Sequence, residues 1–338
     1  MRPLLHPTLV NGRMGDPALY IETLFESRAI LFDLGDISAL SPRKVQRIEH
    51  VFVSHAHLDH FVGFDRLLRL LVGREKTIGL YGPAGFIDRV EHKLQAYAWN
   101  LGDRYPCDLV FTVTELTSPV ATQSARFSLR SAFARQETGM GGVADGVLHS
   151  APGFRIRAAI LDHRIPCLGF AIEESMHVNV WKNRLAERGL PVGPWLRDLK
   201  RAVRGNLPDE HLVGIPAPVD GSNARAMPLR ELRDIVTVTP GQKIAYVTDG
   251  ADTPANRAAI VALARNADVL FIEAAFALED AALAQDRAHL TAAAAGAIAR
   301  AAGVRRVEPF HYSPRYTGQE ARLLDELKAA FGGMPRAG

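Results

Sequence analysis

His55, His57, Asp59 and His60 fall within six consecutive positions, in the run Ser54-His55-Ala56-His57-Leu58-Asp59-His60. Three imidazoles and a carboxylate at this spacing serve no purpose in strand packing. Their nitrogen and oxygen donors suit zinc, and also manganese or iron. The apolar Val51-Phe52-Val53 just before them reads as a strand. A strand ending there would put His55 and His57 on one face, because side chains repeat every two residues. Asp59 and His60 would then sit in the following turn and reach a second point in space. The chemistry expected of such a cluster is hydrolysis at a pair of metal ions.

Two metals need more donors than one motif supplies. The later candidates are His163, Asp249, Asp252, His289 and His311, each at the end of an expected strand or in the turn after it. His163 follows Ile160-Leu161-Asp162, Asp249 ends Ala245-Tyr246-Val247-Thr248, and His311 follows Val307-Glu308-Pro309-Phe310. A single histidine in such a place is commonly a hydrogen-bonded core residue. Several together, behind a complete His-x-His-x-Asp-His, point to ligands.

The elements that must position these residues alternate between strand and helix. Residues 18–25 and 29–35 read as two strands joined by a turn at Glu26-Ser27-Arg28, and Ser41 to Ile48 as a short helix feeding the motif. Phe61, Phe64, Leu67, Leu68 and Leu71 recur at helical spacing and predict a core-facing helix. Gly79 to Phe86 reads as strand, turn and helix start, without the Gly-Lys-Ser/Thr of a phosphate loop. Residues 108–135 and 155–161 are β-type, and Gly139 to Gly146 is expected to be a flexible loop. Residues 176–233, rich in Arg, Pro and Gly, are the least β-like stretch, and Ala292 to Ala302 is strongly helical. Helices after residues 60, 85, 253 and 290 can cover the outer faces of sheets. The expected fold is an α/β, two-sheet sandwich flanked by helices, forming one domain over residues 1–338.

A chain of 338 residues, 47% hydrophobic and 23% charged, has an ordinary globular composition. Its net charge of +3 is not in itself a nucleic-acid signature. Cys107 and Cys167 make neither a disulfide framework nor a paired zinc motif. No stretch approaches ~18 uninterrupted apolar residues, and the two prolines in Met1 to Pro7 argue against a signal peptide. The expected compartment is the cytoplasm, with no membrane partner.

Several of these segments resemble one family. His55-Ala56-His57-Leu58-Asp59-His60 resembles the signature of the metallo-β-lactamase fold, which implies an αββα sandwich of two mixed sheets. Asp162-His163-Arg164-Ile165-Pro166-Cys167-Leu168-Gly169-Phe170 is similar to the Asp-His-x-x-Pro-x-x-Gly-Tyr/Phe of its tRNase Z branch. Ala288-His289-Leu290-Thr291-Ala292 resembles that branch's Gly-His-Ser-Thr-Ala, and Phe310 to Tyr316 is close to its Thr-His-Phe-Ser-Pro-Arg-Tyr. The likeness runs in register from about residue 29 to residue 318. It departs at Asn11 to Pro17, where the branch has a Gly-Thr-Gly turn, and at Thr248-Asp249-Gly250-Ala251-Asp252-Thr253, where it reads Gly-Asp-Thr. Asp249 is favoured over Asp252 as the bridging ligand because the rim of a sheet holds a side chain more rigidly.

The resemblance implies two divalent ions, zinc first and manganese or iron as alternatives. It implies one ion held by His55, His57, His163 and Asp249, and a second held by Asp59, His60, His311 and the same Asp249. It makes Asp59 the residue that orients the attacking water and His289 the proton donor to the leaving 3′ oxygen; Glu273, in Phe271-Ile272-Glu273-Ala274, is expected to hold the His289 ring. The implied function is an endoribonuclease processing the 3′ end of precursor tRNA, in a branch whose members are commonly homodimers. The alternative keeps the fold and metals but takes a small phosphodiester, lactone or thioester. A diiron oxidoreductase is disfavoured because that branch carries Glu where this chain has His57, and a β-lactamase because no Cys stands in place of Asp249.

Residues 181–205 hold seven basic side chains against two acidic ones, with Trp181 and Trp195 interleaved. Lying in an inserted arm at about 176–235, Arg197, Lys200 and Arg201 are expected to track an RNA backbone while the indoles stack on bases. The run Leu190-Pro191-Val192-Gly193-Pro194 resembles an element of the branch's tRNA-binding arm.

Overall fold

The computed structural model describes residues 4–24, 28–216 and 225–332. The chain divides into two compact units, residues 1–173 with 242–338, and residues 174–241.

In the first unit, among the described residues, an eight-stranded sheet keeps its strands in sequence order. These are Leu5–Leu9, Leu19–Thr23, Ala29–Phe32, Ile48–Phe52, Lys76–Pro83, Leu109–Ser118, Ala121–Ser128 and Gln136–Gly142. The four from Ala29 to Ser118 run parallel, and the outer pairs are antiparallel. A six-stranded sheet has the order Val307–Phe310, Val269–Glu273, Lys243–Val247, Pro166–Glu174, Phe154–Asp162, Val147–Ala151. Its first three strands are parallel.

Alternation along the strands sorts side chains into three cores. Ile30, Phe32 and Phe52 point between the sheets and meet Phe170, Ile244, Tyr246 and Phe271. Leu31, Val51 and Val53 point outward, under Phe64, Leu67 and Leu71 of one helix and Phe86 and Val90 of another. On the far side, Ala245, Val247, Leu270 and Ile272 lie under Ile260, Ala295, Ile298 and Leu327. Strands buried on both faces explain the near-continuous apolar runs in the sequence. The helices expected after residues 60, 85, 253 and 290 are Phe64–Leu71, Phe86–Gln95, Pro254–Ala264 and Ala292–Ala301. Thr253 and Thr291 cap the last two, each hydroxyl accepting from a backbone N–H three residues on.

The run Gly139 to Gly146, expected as a loop, begins as strand: Gln136–Gly142 pairs antiparallel with Ala121–Ser128 at the sheet edge. All seven of its residues are exposed. An edge strand needs only one partner's backbone groups, so neither apolar alternation nor β-branching marks it in sequence. The turn expected at Glu26-Ser27-Arg28 lies largely outside the described residues.

The second unit spans the stretch where an arm was expected and is less barren of strands than its composition implies. His177–Val180 pairs with Val236–Thr239, and Leu212–Ile215 with Arg225–Pro228. It has its own core of Val178, Leu185, Trp195, Leu199, Val213 and Leu232. Trp195 is 4% exposed, and its indole N–H donates to the Pro191 carbonyl at 2.8 Å. It is a core residue and cannot stack on a base. Trp181 is about half exposed, with the Arg184 guanidinium over its ring at 5.8 Å.

Candidate active site

The strand before the histidine motif ends at Phe52, short of the ligands, so strand alternation is not what aligns His55 with His57. His55 lies buried in the loop, and His57 is the N-cap of the short helix Leu58–Phe61, which carries Asp59 and His60. This loop is clamped by glycines. A Cβ on Gly63 would stand 2.1 Å from the Gly35 carbonyl oxygen, and one on Gly35 would stand 2.6 Å from that of Asp59. Only glycine lets these backbones approach so closely.

The other candidates arrive from the second sheet. His163 follows strand Phe154–Asp162, Asp249 follows Lys243–Val247, Glu273 ends Val269–Glu273, and His311 follows Val307–Phe310. His289 sits between helices Ala281–Asp286 and Ala292–Ala301. His311, Ala288 and Asp33 have left-handed backbones, with φ of +58°, +57° and +55°. Non-glycine residues in this region concentrate where the surrounding structure holds a functional geometry.

Asp249 is the centre of the cluster. Its Oδ2 stands 3.5 Å from His55 Nε2, 3.4 Å from His60 Nε2 and 3.5 Å from His163 Nε2. Its Oδ1 stands 3.0 Å from His311 Nδ1. Asp59 Oδ2 is 3.4 Å from His60 Nε2 and 3.2 Å from His311 Nε2. His55, His57, His163 and Asp249 thus offer donor atoms that all lie within 4.8 Å of one another, and so do Asp59, His60 and His311. Asp252 is apart from these groups; its carboxylate pairs with the Arg257 guanidinium. Arg197, Lys200 and Arg201 lie on helix Trp195–Arg204 of the second unit, where Arg201 meets Asp198 at 3.3 Å.

Hydrogen bonds set the ring tautomers. His163 Nδ1–H donates to the Ala288 carbonyl at 2.8 Å, leaving Nε2 as a lone pair. Ser54 Oγ–H donates to Asp33 at 2.9 Å, so the hydroxyl accepts from His55 Nδ1–H at 3.0 Å. His60 Nδ1–H donates to Asp33 Oδ2 at 2.9 Å. Asp33 also accepts from the Ser54 N–H at 2.6 Å and from Tyr246 Oη at 2.8 Å. Neither Asp33 nor Tyr246 stands out in sequence, because the two meet only when the sheets stack. The nearest signal was Asp33 at the end of an expected strand.

Electrostatics separate the imidazoles. Burial, then His60, pushes His55 down to about 2, and burial also lowers His57. Burial works against charge on His60 and His311 too, but Asp249 and Asp33 raise His60, and Asp249 brings His311 to about 10. Against its own burial, Asp249 is held well below the ordinary carboxylate range by His311 and His60. At the wall of the site, His289 Nδ1 donates to Glu273 Oε2 at 2.8 Å, and this carboxylate outweighs burial to raise the imidazole. Glu273 Oε1 accepts from Gly250 N–H at 2.8 Å, fixing the pair to the loop of Asp249. His57, Asp59, His163, Asp249, His289 and His311 line one open cavity of about 470 Å³, whose rim includes Asp16, Phe276, Arg287 and Ser313.

His60 Nε2 and His311 Nδ1 are buried and make no hydrogen bond. Orphaned nitrogens of this kind, converging on two carboxylates, fit divalent cations. The residues present therefore suit a metal centre.

Comparison with known proteins agrees with this geometry. Residues 30–178 match the family model described as the beta-lactamase superfamily domain. The chain is 30% identical over 311 residues to a protein named ribonuclease Z from Deinococcus radiodurans, covering 91% of this chain and 88% of that one. It is 32% identical over 315 residues to ribonuclease Z of Limosilactobacillus reuteri, covering 90% and 84%. Among solved structures, human tRNase Z, short form, superposes with a TM-score of 0.52 at 19% identity, over 93% of this chain and 92% of that one. A metallo-beta-lactamase fold protein from Bacillus subtilis gives 0.54 at 16% identity, over 97% and 95%. These two likenesses establish the fold, and the sequence identity carries the rest: the chain belongs to the ribonuclease Z family of the beta-lactamase superfamily.

Proposed function

We propose that this chain is a tRNase Z-like endoribonuclease that removes the 3′ trailer of precursor tRNA by hydrolysing one phosphodiester at a dinuclear centre. The observation that carries the reading is a single buried carboxylate, Asp249, shared by two groups of imidazoles beside a Glu273–His289 pair. His55, His57, His163 and Asp249 would hold one divalent cation, and Asp59, His60, His311 and Asp249 the other, with zinc the ion expected and manganese or iron accepted. Such a pair, when bound, lowers the pKa of water and neutralises charge on phosphodiester oxygens.

The side chains do the rest. Asp59, 43% exposed at the cavity, accepts a hydrogen bond from the attacking water and aims it at phosphorus. His289, kept protonated by Glu273, gives its proton to the 3′ oxygen as the P–O3′ bond breaks. The products are a tRNA with a free 3′ hydroxyl and a trailer with a 5′ phosphate. Arg197, Lys200 and Arg201 serve as contacts to the tRNA backbone, and the active form is a homodimer acting in the cytoplasm. No helix among the described residues is long and apolar enough to cross a membrane.

The test is cleavage of a 3′-extended precursor tRNA by metal-loaded protein, with ends mapped and His57→Ala as control. A cut just after the discriminator base, lost in the control, is the expected result. Robust hydrolysis of a bis-aryl phosphodiester without any cut in the RNA would refute the tRNA reading.

A further inference from the structure

Beside the metal-binding loop, a second hollow of about 180 Å³ opens between helices Leu58–Phe61 and Phe86–Gln95. Its lining includes His57, Leu58, Phe61, Val62, Arg89 and Lys93. Leu58 is 76% exposed and Val62 37% exposed, although both belong to the turn that carries the metal-binding motif. Leaving a leucine in water forgoes the stabilisation that burial would bring, and the fold does not use this side chain for packing. Two cations flank the apolar floor. Arg89 is exposed and has no ion-pair or hydrogen-bond partner among the described residues. Lys93 donates to Asp65 at 2.7 Å. His57 lines both this hollow and the main cavity, so one imidazole stands between the two.

We propose that this hollow is a nucleotide subsite: it takes one base of the RNA strand adjacent to the cleaved phosphodiester. The face of the base lies on Leu58 and Val62, and its phosphate meets Arg89. The proposal rests on the endoribonuclease reading. Size and charge choose the occupant. The volume falls below that of a pocket for a drug-sized ligand and suits one flat ring system. A stable dimer buries about 800 Å² on each partner, far beyond what two exposed apolar side chains offer. A basic rim one side chain away from the proposed phosphodiester-cleaving centre fits a polyanion.

The experiment is a cycle of protein and substrate changes. Precursor tRNAs carrying an abasic site at either nucleotide flanking the cut are compared with the intact RNA, using the unaltered protein, Leu58→Ser and Val62→Ser. In the unaltered protein, one abasic position raises KM about tenfold, the scale of one base contact. In either variant the intact RNA already has the raised KM, and removing that base adds nothing. Because Leu58 lies between two ligands, metal content and bis-aryl phosphodiester hydrolysis are measured alongside, and Val62→Ser gives the independent reading. Arg89→Ser should reduce the salt dependence of KM for the intact RNA. Penalties that simply multiply, with the base mattering equally in all three proteins, overturn the subsite alone. So does a variant that alters the sedimentation of the protein and leaves KM for RNA unchanged. Failure of the unaltered chain to cut any precursor overturns the endoribonuclease reading, and the subsite with it.

Discussion

Replacing Asp33 with asparagine removes one negative charge behind His60 and leaves side-chain shape and backbone almost unchanged. Asparagine tolerates the left-handed φ of +55° that this position requires, so strain does not confuse the result. Asp33 accepts from Ser54 N–H, Ser54 Oγ, Tyr246 Oη and His60 Nδ1, all fully buried. An asparagine can keep its oxygen on the Ser54 N–H, but its NH₂ group then faces the other three donors. The two hydroxyls can rotate and accept instead. His60 has no such freedom: it must give up the Nδ1 proton or lose the contact, and moving the proton to Nε2 blocks the atom proposed as a metal donor. Hydrogen bonds to charged groups are worth about 1.5–3 kcal/mol each, and breaking one side of a buried charged network costs roughly 3–5 kcal/mol. For a chain of this size, with an unfolding entropy of about 0.7 kcal/mol/K, that is a fall of roughly 4–7 °C in melting temperature. Loss of a group that orients a metal ligand lowers metal affinity about 10–100-fold. Competition against a chromophoric chelator measures the affinity, and thermal melts of the metal-free protein measure the fold. Unchanged affinity with a lowered melting temperature would make Asp33 a purely structural residue, and no change in either would refute the reasoning.

Four further outcomes are expected. Glu273→Gln should lower kcat for RNA and move its alkaline limb to lower pH: the carboxylate raises His289, the acid works only when protonated, and without it the proton is lost earlier. A pH–kcat profile identical to that of the unaltered protein would contradict this. His50 is pushed down to about 4, by burial first and His149 next, from an ordinary value of 6.5. Its neutral form is the one the fold favours, so its contribution is complete above pH 6.5 and is lost as pH falls towards 4. With its partial exposure discounted, this amounts to about 1–2 kcal/mol, and His50→Phe should remove that part of the acid sensitivity in urea melts at pH 7 and pH 4.5. Charge reversal of Arg197, Lys200 and Arg201 should raise KM for RNA and flatten its salt dependence, while bis-aryl phosphodiester hydrolysis stays the same; equal losses on both substrates would count against an RNA contact. Chelation should lower the melting temperature, and zinc should restore it, because these ligands converge only in the folded chain.

What could be read without coordinates was whatever chemistry is local in the chain. His55 to His60 bring four donors into six positions, and that density survives any rearrangement of the rest. Helices with a clear apolar stripe, such as Phe64–Leu71, and strands buried on both faces, such as Lys243–Val247, were legible because burial writes a helical period into the first and an unbroken apolar run into the second. His163, Asp249 and His311 could be named as strand-end candidates; His289 was expected in such a place too but lies between two helices, and a family likeness grouped all four. Only the stacking of the two sheets brings Asp249, from the second, within 3.5 Å of His55 and His60, which follow a strand of the first. The same stacking makes Asp33 a hub, since its partner Tyr246 is 213 residues away. Tertiary structure also decided against local appearance. Trp195, in a basic run, has the composition of a base-stacking surface yet fills a core, and the glycine-rich Gln136–Gly142 is held as strand by its neighbour's backbone. The physical reason is common to these cases: a side chain's type is a property of the sequence, but its partners are chosen by contacts between distant segments, and those contacts leave no periodic mark.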